Sequence, residues 1–387
     1  MLYLTGIIIC FFLCVLLLSK KDKKEPDKIL VIWLFLIGVH MLLFYIHVSG
    51  KYVEFPYLVG FGIPLPFVHP PFLYLYTASI TNQATKKRYW FLHFLPILFT
   101  YFFFLPFLTS SFANKIVVYQ NGGLGYEKPM EMVNIGIIIS GIVYIILSLV
   151  LLKKHRKAIE GQFSNIEKIN LSWLRYLTFG IGIIWLLIIT DRTDEYIYTA
   201  VVFFILFIGF FGIKQVGIFT QAHQNNLQPN LDINLENTHE AINELAEDPK
   251  PLEEINHEKI KYSKSGLLEE AAQDIHKKLI DIMQKEKVFK NPELTLSDLS
   301  QKLGVNANTL SQVVNSLEEK NFYDYINGQR IEEFKRIVSL PENQKFTILA
   351  LAYECGFNSK SAFNRNFKNE TGLSPTEYLK ETNILLG

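Results

Sequence analysis

Residues 351–379 read LAYECGFNSKSAFNRNFKNETGLSPTEYL. Leu351 and Ala352 lie one turn before Gly356 and Phe357, and Phe363 and Phe367, four residues apart, lie on one face of a following helix. Glycine suits the break because it reaches positive φ without a Cβ clash. Ser374, Pro375 and Glu377 then form a capping box that starts a further helix. Two helices about a tight glycine turn, the second with an apolar and a polar face, make a helix-turn-helix. Upstream, Leu299, Leu303, Gly304, Val305 and Leu310 repeat the pattern, with the turn glycines 52 residues apart and a start signal at Thr295 and Asp298. Between the repeats, Phe322 to Val338 is one helix with Ile326, Ile331, Phe334 and Ile337 on its buried side. At 1.5 Å per residue it spans about 25 Å, a strut able to hold the two units in adjacent turns of one groove, about 34 Å apart.

Ala352, Gly356, Phe357, Ser361, Phe363, Arg365, Phe367, Lys368, Gly372, Pro375 and Tyr378 together resemble the carboxy-terminal signature of AraC-type transcription regulators, and Asn327, Arg330, Ile331 and Lys335 resemble that family's interhelical segment. The resemblance covers about Leu267 to Leu379. It implies two helix-turn-helix subdomains joined by a long helix, each placing its second helix in the major groove of duplex DNA. RNA polymerase and a second copy of the chain are further partners open to such a regulator.

Carried over to these positions, the second recognition helix is Ser359 to Asn369, with Lys360, Ser361, Asn364 and Arg365 facing out. A guanidinium can grip guanine O6 and N7 bidentately, worth about 1–3 kcal/mol of discrimination, so Arg365 is the residue expected to read a base. Lys368 is expected on phosphate. In the first unit the helix from about Ala307 to Ser316 offers Asn308, Ser311 and Gln312, without any Lys or Arg. Amides can read adenine, and whether this unit reads bases or only supports its neighbour stays open. Leu268 to Gly387 holds 15 basic and 17 acidic residues, so weak non-specific affinity with real salt dependence is expected.

The remainder of the 387 residues is of another kind. The chain is 49% hydrophobic and 14% aromatic, with only 19% charged residues, which places part of it in lipid. Met1 to Gly217 carries 19 basic against 11 acidic residues, and the rest 19 against 26. Apolar runs long enough to cross about 30 Å of hydrocarbon recur at Leu2–Leu18, Ile29–Val48, Tyr57–Ile80, Phe91–Leu108, Met132–Leu152, Leu171–Ile189 and Tyr196–Val216, seven in all. The first lacks the basic start and small-residue cleavage site of a signal peptide, and reads as a retained anchor. Alternate loops at Lys20–Lys28, Lys86–Arg88 and Lys153–Lys168 hold 13 basic residues, whereas those with Lys51, Lys115, Lys128 and Arg192 hold four. Basic residues stay on the cytoplasmic side, so the amino terminus is expected outside and everything after about Ile218 in the cytoplasm of a bacterium, beneath its inner membrane. His40 and His47 lie on one face of the second run, and His40 is expected to hydrogen-bond a neighbouring helix. Pro64, Pro66, Pro70 and Pro71 surround His69 and are expected to bend the third run.

Residues 218–266 read as a polar acidic linker, giving a division into a bundle at 1–217, the linker, and a DNA-binding domain at 267–387. Cys10, Cys14 and Cys355 cannot form a disulfide framework or zinc site, and Cys355 is expected in the core. Phosphate-loop, G-x-S-x-G and kinase signatures are missing, and His239, His257 and His276 are expected at the solvated surface, so neither catalysis nor a cofactor or metal is expected. The sequence therefore points to an all-α, membrane-bound, DNA-binding transcription regulator with a sensing bundle. The competing readings are a transporter or an interaction scaffold with a regulatory helical tail.

Overall fold

Length and apolarity produce the first helices, α1 (Leu2–Ser19) and α2 (Glu25–Val48). Then come α3 (His69–Ile80), α4 (Leu95–Phe103), α5 (Leu105–Leu108), α6 (Phe112–Gln120), α7 (Glu127–Glu160), α8 (Ser172–Ile189) and α9 (Asp194–Val216). These coordinates are a computed structural model describing residues 1–84, 87–167, 169–190, 193–216, 269–382 and 384. The expected linker with His239 and His257, and the loop residues Lys86, Lys168 and Arg192, lie outside the described residues. Among the described residues the fold is all-α, with 16 α-helices and a single isolated bridge, Phe163 to Thr295. They fall into two compact units, one within Met1–His155 and Leu171–Ala222, the other within Arg156–Asn170 and His223–Gly387.

In the first unit five helices, α1, α2, α7, α8 and α9, are long and apolar enough to cross a membrane. The other two apolar runs are divided. Tyr57–Ile80 holds 3₁₀ turns at Pro56–Leu58 and Leu65–Val68 before α3, and Phe91–Leu108 holds the end of a 3₁₀ segment at Lys87–Phe94, then α4 and α5. A proline lacks an N–H and is tolerated only in a first turn. Proline accordingly occupies the first or second position of four of these segments and of α3. The bend expected around His69 is that restart. Trp33, Leu73, Leu174 and Ile205 are fully buried, while Phe12, Phe99, Phe102 and Phe203 are exposed apolar side chains. Helices apolar inside and outside suit hydrocarbon rather than water. Gly141 leaves room for the Trp185 indole, which donates to the Ile137 carbonyl at 3.2 Å; a Cβ at 141 would fall 1.5 Å from that nitrogen. His40 is bonded as expected, with Nδ1 2.9 Å from His69 Nε2 and Nε2 2.9 Å from the Tyr198 hydroxyl.

The second unit contains α10 (Glu269–Lys285), α11 (Leu296–Leu303), α12 (Ala307–Leu317), α13 (Phe322–Val338), α14 (Ile348–Glu354), α15 (Lys360–Thr371) and α16 (Pro375–Glu381). The strut α13 occupies the residues its apolar period marks. Phe322 and Ile326 enter one core with Leu279, Leu299 and Leu310; Ile331, Phe334 and Ile337 enter a second with Leu351, Cys355 and Phe363. His276 is partly exposed on α10, and its Nε2 lies 2.6 Å from the partly exposed Glu318 Oε1, tying α10 to the end of α12.

Candidate nucleic-acid interface

Each helix-turn-helix is built by a cap, a glycine and an apolar pair. In the first, Thr295 accepts the Asp298 N–H and Asp298 accepts the Thr295 N–H, α11 ends on Gly304 at φ 69°, and Asn306 caps α12 by accepting from Thr309 N–H at 2.7 Å. In the second, Thr347 caps α14, Gly356 turns the chain at φ 98°, and Ser359 Oγ caps α15 by accepting from Ala362 N–H at 3.1 Å. Gly356 is constrained twice, since a Cβ there would stand 2.6 Å from the Phe289 carbonyl oxygen. Phe363 and Phe367 pack against Phe334, with ring centroids at 4.8 and 5.6 Å, and turn the opposite face of α15 outward.

That outward face brings together Lys360, Ser361, Asn364, Arg365 and Lys368, all exposed. On α12, Asn308 is exposed, while Ser311, which accepts from Asn315 Nδ2 at 3.2 Å, and Gln312 are half-buried. The two sets lie on separate helices joined through α13. Arg365 is expected to face solvent, but it is more engaged than that. Its Nη2 donates to the Tyr323 hydroxyl at 2.9 Å and stands 3.8 Å from Glu167 Oε1, leaving 40% of the side chain exposed. The Tyr323 hydroxyl also accepts from Asn366 Nδ2 at 2.7 Å, so the strut holds α15 in rotation about its axis.

Behind this face sits Arg330, only 1% exposed. Its Nε donates to the Phe289 carbonyl and its Nη2 to the Asn291 carbonyl, each at 2.8 Å. Nη1 reaches Asn327 Oδ1 at 3.1 Å and the Ser164 carbonyl at 3.2 Å, and Nη2 also reaches Ser164 Oγ at 3.1 Å. Burial draws its pKa down to about 10, which leaves it cationic at neutral pH. A planar fork with five donors suits a site built of carbonyl groups, where a point charge would not. Nearby, Glu333 is clasped by Arg336 at 2.8 Å and Lys287 at 2.9 Å. Tyr323, Ser359, Glu167 and Ser164 escape a reading by motif; Ser359 alone carries a local signal, as a cap before a helix. Among the described residues there is no group of three or more His, Cys, Asp or Glu able to hold a metal.

The profile of a family described as "Helix-turn-helix domain" matches residues 299–381, and that of a "Winged helix-turn-helix DNA-binding" family matches 273–322. The carboxy-terminal region is a helix-turn-helix domain of the AraC type. This AraC-type domain is similar to the Msm operon regulatory protein of Streptococcus mutans serotype c, 31% identical over 88 residues, which are 23% of this chain and 31% of the relative. It is also similar to the transcriptional activator RhrA of Rhizobium meliloti, 28% identical over 103 residues, 26% of this chain and 32% of the relative. The chain thus spans about a third of the length of the curated relatives it matches. A solved structure of a protein of unknown function from Listeria innocua aligns at TM-score 0.25 and 23% identity, over 28% of this chain and 96% of that one. Together the two profiles run from Gln273, within α10, to Glu381, the end of α16.

Proposed function

We propose that this chain is a membrane-anchored transcription regulator whose AraC-type domain binds duplex DNA and whose bundle senses a signal. The observation that carries the DNA reading is the outward face of α15, where Lys360, Ser361, Asn364, Arg365 and Lys368 share one exposed surface opposite two buried phenylalanines. Arg365 reads a base, Lys368 grips phosphate, and Asn308, Ser311 and Gln312 supply the first unit's contacts. The similarity to an operon regulatory protein and a transcriptional activator supports the same reading. Membrane placement rests on the five long apolar helices and the basic loops. Seven crossings, the number of apolar runs, and five, the number of long apolar helices, would each leave the carboxy terminus on the cytoplasmic side. Chromatin capture with the tagged full chain, followed by selection of a shared site, tests the proposal; if Arg365→Ala recovers the same fragments in the same yield, α15 is not the reader.

The sensing part is supported by the bundle's interior. A cavity of about 530 Å³ is lined by His47, Tyr119, Asn134, Asp194 and Tyr198, and a smaller one of about 210 Å³ by Trp33, His69 and Trp185; His40 lines both. Two proton orders satisfy the chain between them, from the Tyr198 hydroxyl through His40 to His69 Nε2 or the reverse. His69 Nδ1 is buried without a partner, a donor in the first order and an acceptor in the second. A small, mainly apolar molecule with one hydrogen-bonding group fits that site, because an unpaired buried polar group costs about 1–3 kcal/mol until it is satisfied.

A further inference from the structure

Arg156–Asn170 joins α7 to α8, two helices apolar enough to span a membrane, yet it belongs to the same compact unit as the DNA-reading domain. Its seat there is specific. Leu296 N–H donates to the Gln162 carbonyl at 2.9 Å, beside the isolated bridge of Phe163 with Thr295. Ser164 makes five hydrogen bonds: its N–H and hydroxyl both donate to the Leu294 carbonyl, its carbonyl accepts from Asn327 and Arg330, and its hydroxyl accepts from Arg330. Ile166, 2% exposed, packs in a small core with Ile159 and Tyr323. Two residues of α13, Asn327 and Arg330, thus spend part of their bonding capacity on one serine of a loop far away in sequence.

The loop ends on the recognition helix. Ser359, whose hydroxyl caps α15, donates that hydroxyl's hydrogen to Glu167 Oε2, and Glu167 Oε1 faces Arg365. A carboxylate at a helix N-terminus beside a guanidinium occupies the kind of place a DNA phosphate takes, since helix N-termini and arginine side chains are common phosphate partners. We infer that the loop segment Gln162–Glu167 is an internal ligand of the AraC-type domain, and that Glu167 and a DNA phosphate compete for Ser359, the start of α15 and Arg365. This rests on reading α15 as the DNA-reading helix. It gives the bundle a short covalent route to that helix, because any change in the spacing or rotation of α7 and α8 acts on the loop directly rather than through the long segment after Val216.

The test uses the full chain in lipid nanodiscs and a fluorescent mixed-sequence duplex. Removing one partly exposed ion pair and its hydrogen bond, Glu167→Ala is expected to raise DNA affinity by about three- to fivefold. Glu342→Ala, which deletes an exposed acid elsewhere, is expected to change affinity by less than about twofold. Asn165 Nδ2 donates to Glu293 Oε1 at 3.3 Å, away from α15, so Asn165→Cys with Glu293→Cys offers a lock, all three native thiols being buried. Oxidising the pair is expected to lower DNA affinity at least about tenfold, with recovery on reduction. Glu167→Ala behaving like Glu342→Ala, or a locked chain binding as well as the reduced one, overturns the inference. Arg365→Ala separates the layers: if it weakens DNA binding while Glu167→Ala does nothing, only the loop inference falls, and if it leaves binding intact, both fall.

Discussion

Arg330→Met should loosen the AraC-type domain by about 4 kcal/mol. The wild-type guanidinium makes five hydrogen bonds, to the carbonyls of Phe289, Asn291 and Ser164, to Asn327 Oδ1 and to Ser164 Oγ. At the low end of the range for charged donors, about 1.5 kcal/mol each, these contribute about 7.5 kcal/mol. Burial opposes them, and the fall in pKa from 12.5 to about 10 corresponds to about 3 kcal/mol against the cation. The difference lies within the roughly 3–5 kcal/mol seen when one member of a buried charged network is removed. Arg330→Lys keeps the charge but loses the fork, and should cost at least half as much. All four tryptophans, Trp33, Trp90, Trp173 and Trp185, precede the domain in sequence, so it has no tryptophan fluorescence of its own. Hydrogen exchange at the amides of Ile331 to Val338 does, and protection should drop about 10³-fold if exchange there follows global opening of the domain. A drop smaller than about tenfold would refute the reasoning, since it would mean that burial of the charge offsets its bonds.

Acid should weaken the same domain through Glu333. Its carboxyl is held down at about 2, first by the hydrogen bond from Arg336, with burial opposing and Lys287 and Lys290 assisting. A folded pKa below the ordinary 4.5 means stability that is full above about pH 4.5 and lost as pH falls towards 2; Glu333→Gln should remove that dependence, of order 3 kcal/mol, from α13 exchange protection corrected for intrinsic rates. Gly304→Ala should cost about 1–2 kcal/mol, the expense of φ 69° in open space, whereas Gly356→Ala should cost clearly more because its Cβ also meets the Phe289 carbonyl; equal losses by thermal unfolding would contradict the packing. In DNA titrations, Lys368→Ala should weaken binding evenly across sequences and reduce the salt slope by about 1, while Arg365→Ala should cost about 1–3 kcal/mol and relax specificity at one position.

The helix-turn-helix units were legible because their signals are local. A cap acts over three residues, a phenylalanine pair over four, and a turn glycine within its own peptide, so α13 and the capping boxes at Thr295 and Ser374 fall where the pattern marks them. Apolar length was a weaker guide. Tyr57–Ile80 and Phe91–Leu108 are long enough to span as single helices, and prolines at segment starts divide them. Basic residues in the Lys153–Lys168 loop told only of orientation; Ser164 and Glu167 sit there without period or motif.

From sequence alone come the helical class, the paired helix-turn-helix, the buried face of the strut and the polar face of α15, because periodicity and capping are written within a few residues. The tertiary structure decided what that polar face touches. Ser164 meets Leu294 across 130 residues and Glu167 meets Ser359 across 192. Arg330 lies buried among carbonyls rather than against an acid. Such contacts are chosen by which surfaces are left complementary once the helices have packed, and no spacing along the chain encodes that.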